Sequence, residues 1–178
     1  PCAAAIMALC REGAGPGSPE LPRGREQWLR LMSLLAVVTL RSYGGVIMSF
    51  PWRAGAWAWI AALCVVGGKC IGGFASDRFG EVRSATVTLS AAAAALIFSA
   101  FPLPGALGLL LFNMSMPVTL YAARDILREG RATAFGLLTL GLFLGMLPAF
   151  SGASGSGQDY AMICLISIML IRVGVGKR

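Results

Sequence analysis

Histidine is absent from the 178 residues, and only eight aspartates and glutamates occur. The first absence removes the imidazole base on which serine and cysteine nucleophiles usually depend, and with it the commonest metal ligand. Cysteine is present, but without pattern. Cys2, Cys10, Cys64, Cys70 and Cys164 lie in or beside apolar runs and form no CxxC. Neither a zinc site nor a disulfide framework is therefore expected, and buried free thiols are the expected state. Charge is scarce too, at 13% of residues, against about 25% in a soluble domain. What fills the space is hydrocarbon: 57% of residues are apolar and the mean hydropathy is +0.75. A water-soluble chain of this size has too little interior to hide so much, so lipid is the expected solvent for most of it.

The net charge is +7. In a soluble protein that would suggest nucleic acid. Here the basic residues are dispersed between apolar runs rather than gathered on one surface, so no nucleic-acid partner is expected. They read instead as markers of membrane topology.

The first apolar run, residues 1–10, lacks a basic leader and is too short to cross a bilayer, which takes about 20 helical residues. It reads as the end of a transmembrane helix whose start lies upstream, so the chain is expected to be a fragment. Residues 11–28 are rich in Gly, Pro and mixed charge and read as a cytoplasmic linker. Residues 29–176 then hold six apolar stretches: 31–50, 54–76, 84–101, 103–123, 132–150 and 160–171, the last extendable to 176. Pro117 and Pro148 fall inside such runs and are expected to mark kinks. The short connections Phe50-Pro51-Trp52 and 101–104 place aromatics at interface depth. Residues 151–157, SGASGSG, read as a flexible outer loop. The alanine run 91–95 reads as a close helix contact.

The connections alternate in charge. Arg11, Arg23, Arg25 and Arg30 precede the first span, and Lys69, Arg78 and Arg83 follow the second. Arg124, Arg128 and Arg131 follow the fourth, and Arg172, Lys177 and Arg178 close the chain. The opposite side has Arg53 alone, and Arg41 lies within a span. By the positive-inside rule the thirteen face the cytoplasm, which puts both ends there and requires an even number of spans. The fold class expected is all-α, a polytopic bundle of six transmembrane helices in the cytoplasmic membrane.

Residues 68–83, GKCIGGFASDRFGEVR, lie between the second and third spans. Gly73, Asp77, Arg78 and Gly80 within them resemble the GxLaDRxGRR loop motif of the major facilitator superfamily, with Ala75, Ser76, Glu81 and Val82 as departures. The motif occurs there between the second and third helices and again between the eighth and ninth. The stretches MPVTLYAARD and REGRATAFGLLTLGLFLG are similar to the tenth-to-eleventh helix segment of bacterial members. The resemblance implies that residues 29–176 are the C-terminal six-helix half, built as an inverted 3+3 repeat, and that an N-terminal six-helix half is missing. It implies a secondary transporter that moves a small solute by alternating access. The motif, with Arg83, would act as a cytoplasmic latch. Gly73 would admit a close helix, Gly80 a turn with positive φ, and Asp77 would accept backbone N–H bonds at a helix end or pair with Arg78 or Arg83.

Arg41 is the first candidate for the solute path. A charge at mid-span costs roughly 2.5–3.5 kcal/mol on insertion scales, so such a residue faces either a wet path or a fixed partner. Its face carries Val37, Val38, Gly44, Gly45 and Met48, with Tyr43 nearby. Asn113, in the fourth span, bonds across helices or to solute. No carboxylate lies deep in any span, so this half offers no proton-coupling group. Two rivals belong to other classes. Gly152-Ala153-Ser154-Gly155 matches the GxSG of intramembrane serine proteases, but without histidine the match is read as chance and no enzyme or cofactor is expected. A small stand-alone scaffold or dimeric carrier is the other.

Overall fold

A computed structural model describes residues 24–126, 131–152 and 155–175. The helix stump and most of the linker, residues 1–23, lie outside the described residues. Among those described, no strand occurs and seven α-helices follow one another. They are α1 (Arg25–Ile47), α2 (Ala56–Phe79), α3 (Glu81–Ile97), α4 (Pro102–Met114), α5 (Met116–Ile126), α6 (Arg131–Met146) and α7 (Gly157–Val175). A 3₁₀ turn, Leu147–Ser151, follows α6. The first helix reaches back into the segment read as linker.

The breaks have local causes. At Gly80 φ is +86°, a conformation that suits glycine and separates α2 from α3 without a loop. Pro102 stands in the first turn of α4, where its missing N–H costs nothing. The apolar run 103–123 is interrupted at Ser115, because Pro117 cannot continue the helix of residues 102–114 and instead falls in the first turn of α5. Pro148 likewise falls in the 3₁₀ turn after α6 ends. The Asp159 carboxylate reaches back to Ser156 at the start of α7. The Ser156 N–H and Oγ–H both donate to Asp159 Oδ2 at 2.8 Å. Gly155 N–H donates to the Ile47 carbonyl at 3.1 Å, so this end of the loop read as flexible is pinned.

Four stretches are long and apolar enough to cross a membrane: Arg25–Ile47, Ala56–Phe79, Pro102–Ile126 and Gly157–Val175. The sequence reading expects six, of which these four meet the length and apolarity needed among the described residues. Helix α3 has 17 residues, about 26 Å at the helical rise, short of a hydrocarbon core of about 30 Å. The apolar part of α6 is Phe135–Met146, shorter still. The last stretch, the one that read as short, is long enough because α7 starts at Gly157 and continues past Arg172.

Order around the bundle is α2, α4, α3, α7, α1, α6, with α5 touching α1, α2 and α6. Two neighbouring pairs run parallel. A Cβ at Gly68 would strike the Leu110 carbonyl, and one at Gly72 would lie 2.6 Å from Met114 Cα, so α2 and α4 advance together. A Cβ at Gly141 would lie 2.9 Å from Leu35 Cδ1, and one at Gly145 would strike the Thr39 carbonyl, so α6 and α1 do the same. Both contacts are G-x-x-x-G faces that bring backbone against backbone. Gly73, by contrast, has nothing within 4 Å of a Cβ position. The close approach expected there occurs one residue earlier.

One end of the bundle is closed by aromatics. Phe50 stacks on Trp52 at 5.0 Å and meets Tyr160 edge-on at 6.1 Å. Trp52 Nε1–H donates to the Ser99 carbonyl at 2.9 Å. The Tyr160 hydroxyl lies 3.0 Å from the Ile47 carbonyl and 2.8 Å from that of Gly155, donating to one at a time. Phe50 and Trp52 are thus buried against the bundle. The other end gathers Arg25, Arg30, Arg78, Arg83, Arg124 and Arg172, since it joins the start of α1, the α2–α3 turn and the ends of α5 and α7. Lys69 is not among them. It stands ten residues before the end of α2.

The exterior is hydrocarbon. Helix α2 buries only Ala61, Gly68 and Gly72, while Trp59, Leu63, Val66 and Phe74 are all more than 60% exposed. A helix apolar all round with so little of it covered is suited to lipid, not water. In the alanine run, Ala92 and Ala93 are buried against the main core and Ala91 and Ala94 are not. Cys64, Cys70 and Cys164 are free thiols. Cys164 is buried, but Cys70 is exposed on α2, unlike the buried state expected of all five, and Cys2 and Cys10 lie outside the described residues.

Candidate functional site

The break between α4 and α5 is where Arg41 ends. Its Nη1–H donates to Ser115 Oγ, the residue between the two helices. Ser115 itself donates to the Phe112 carbonyl at 3.0 Å. The guanidinium carbon lies 4.8 Å from the centre of the Phe112 ring, within the range of a cation–π contact worth about 0.5–2 kcal/mol. Arg41 is only 8% exposed. Among the described residues no carboxylate lies within ion-pair distance of it; the ion pair found there joins Arg30 to Glu26 at 2.6 Å. One neutral hydrogen bond and one ring face do not replace the hydration of a guanidinium with five donors. Arg41 also borders an open space.

That space is a cavity of about 470 Å³ between α1, α2, α4, α5 and α6, within the range of roughly 300–1,000 Å³ usual for small-molecule sites. Three cations line it, Arg41 from α1, Lys69 from α2 and Arg53 from the α1–α2 connection, together with Asn113, Ser42, Thr119 and Thr139. Among the described residues no aspartate or glutamate does. The walls are otherwise apolar, with Phe112, Leu138 and Leu142 among them.

Each neutral polar side chain in this lining already donates to a backbone carbonyl. Ser42 donates to Leu142 at 2.6 Å, crossing from α1 to α6. Asn113 Nδ2–H donates to Leu109 at 2.8 Å, back along its own helix. Thr119 donates to Met116 and Thr139 to Phe135, both at 2.8 Å. The side chains of Lys69 and Arg53 make no hydrogen bond or ion pair with the described residues. The cations are therefore the main uncommitted donors of the cavity. Nothing here pairs a nucleophile with a base, and among the described residues no three of His, Cys, Asp and Glu come together. The arrangement can bind and orient a small molecule.

Arg41 and Asn113 both line this cavity. Asn113 bonds within its helix rather than across helices. Tyr43 does not line the cavity; it is half-buried against the main apolar core. Lys69 was counted with the connections, yet it lies inside α2 and in the cavity wall. The signal was available: no helix stop occurs between Gly68 and Gly80, so Lys69 had to be helical. Phe112 had no sequence signal apart from the bulk and polarisability of its ring.

The motif residues occupy a separate cleft of about 880 Å³ at the arginine-rich end. Gly73, Asp77, Gly80 and Arg83 line it with Pro117 and Tyr121 of α5, while Arg78 does not. Asp77, Arg78 and Arg83 are exposed. Among the described residues Asp77 pairs with neither arginine and accepts no backbone N–H, contrary to the pairings expected of it. Gly80 takes the positive φ expected. Compared with family models, with curated proteins and with solved structures, the chain finds no match in any of the three.

Proposed function

We propose that the chain is the C-terminal half of a secondary transporter of the major facilitator type, set in the cytoplasmic membrane with the arginine-rich end inside. The cavity around Arg41 is the half-site through which a small solute passes. The observation that carries this reading is a buried arginine with no carboxylate partner among the described residues, lining a cavity at a helix break. Such a residue marks a solute path in a membrane bundle.

The packing supports an inverted repeat. Exchanging α1 with α4–α5, α2 with α6 and α3 with α7 converts the α2–α4 contact into the α6–α1 contact, and the α3–α4 contact into the α7–α1 contact. It also superposes the role of Gly68 and Gly72 on that of Gly141 and Gly145. The exchanged helices run in opposite directions, as a two-fold axis in the membrane plane requires. On this reading α3 and α6 complete six crossings, their shortness met by thinning of the bilayer or by flanking residues. No enzymatic step is assigned.

The test is solute counterflow in proteoliposomes containing the full protein of which this chain is part. A panel of radiolabelled anionic, neutral and cationic solutes is preloaded unlabelled and offered labelled. Saturable, trans-stimulated uptake of at least one solute is the expected result. Uptake no greater than in empty liposomes for every class would remove the carrier reading.

A further inference from the structure

Taking that cavity as the solute path, we propose that its ligand is an organic carboxylate with an apolar body, gripped by Arg41 and Lys69. The inference follows from which groups are left over. Every neutral polar side chain in the lining already donates to a carbonyl, so a sugar would find few neutral donors for its hydroxyl oxygens. Among the described residues no carboxylate lines the cavity, so an amine or the ammonium of an amino acid would be desolvated without a counter-charge from them. An anion meets the opposite situation. Arg41 offers a planar fork with most of its donors uncommitted, suited to two parallel bonds to a carboxylate. Lys69, from the helix across the cavity wall, supplies a second positive charge with no pairing of its own among the described residues. The Phe112 ring, 4.8 Å from the guanidinium carbon, helps hold the guanidinium in place. Leu138 and Leu142 on α6 leave the rest of the ligand an apolar wall.

The experiment uses the full protein in a neutral maltoside detergent and three isosteric probes: 2-naphthoate, 2-naphthamide and 2-naphthylmethylammonium. Binding is read by equilibrium dialysis of radiolabelled probe. The naphthoate is expected to bind at least 100-fold more tightly than the amide or the ammonium. Arg41→Gln should weaken naphthoate binding by 100-fold or more, and Lys69→Gln by about tenfold. Lys69 is exposed, so its variant retains the test if Arg41→Gln is poorly produced. Equal binding of all three probes, no naphthoate binding at millimolar concentration, or wild-type affinity in Lys69→Gln would overturn the proposal. So would full displacement of naphthoate by dioleoylphosphatidylglycerol, which would give the site to a bilayer lipid. Naphthoate that binds but shows no counterflow would support this site and remove the carrier reading. Counterflow of a cationic solute without naphthoate binding would do the reverse.

Discussion

Gly72→Leu and Gly145→Leu are each expected to cost about 3 kcal/mol or more, lowering the midpoint of thermal unfolding by about 6–12 °C for a chain of this size. At both positions the obstacle is backbone. A Cβ at Gly72 would lie 2.6 Å from Met114 Cα, and one at Gly145 would lie 2.5 Å from Ser42 Cβ and against the Thr39 carbonyl. Neither neighbour can rotate away, so the parallel helices must separate and lose contact along their length. The controls are close at hand. Gly73→Leu and Gly136→Leu add the same side chain to the same two helices where nothing lies within 4 Å. Leucine is the better helix former by up to about 1 kcal/mol, so these two should be neutral or slightly stabilising. Size-exclusion profiles of detergent extracts after heating measure all four. Equal damage at Gly72 and Gly73 would contradict the packing described for α2 and α4.

Arg41→Ala should remove solute movement, by 100-fold or more, while leaving the bundle as stable as before or more so. The two effects have opposite signs for one reason. A guanidinium at this depth carries a cost of roughly 2.5–3.5 kcal/mol on insertion scales. Against it stand one bond to Ser115 and a ring face. An arginine kept for structure would be matched by a carboxylate, and its loss would strand that partner, destabilising by about 3–5 kcal/mol. No such partner occurs among the described residues. Arg41→Lys retains the charge but not the fork, so about a tenfold loss of transport is expected. Initial rates of counterflow, paired with melting curves of the same preparations, read both quantities. Normal transport in both variants would remove Arg41 from the solute path.

The helical class was legible because hydropathy alone demands it. Runs such as 54–76 and 103–123 have no polar alternation for a strand to use. Proline chemistry also carried over: Pro117 and Pro148 do lie at helix breaks. What was hidden depends on neighbours across the bundle. Nothing in the string GKCIGG says that Gly72 rather than Gly73 meets another helix, since that turns on the rotation of α2 against α4. Lys69 was misplaced for a related reason: a cation beside a loop motif looks like part of the loop until the helix is seen to continue to Phe79. Gly68 and Gly72, like Gly141 and Gly145, are four apart and meet another helix, but the residues around the two pairs differ, so the string alone does not set them side by side. Arg41 was legible as costly, but its place beside Ser115 required the break in α4–α5 to be located.

The whole account rests on crossings that alternate between two faces of a bilayer. Single cysteines at Ala54, Arg83, Arg124 and Phe150, all exposed, can be placed in a background with the natural cysteines removed and probed on intact cells with a membrane-impermeant maleimide. The account predicts labelling of positions 54 and 150 from outside, and of 83 and 124 only after the membrane is opened. Positions 83 and 124 reacting on opposite faces, or all four reacting alike in unbroken cells, would contradict it.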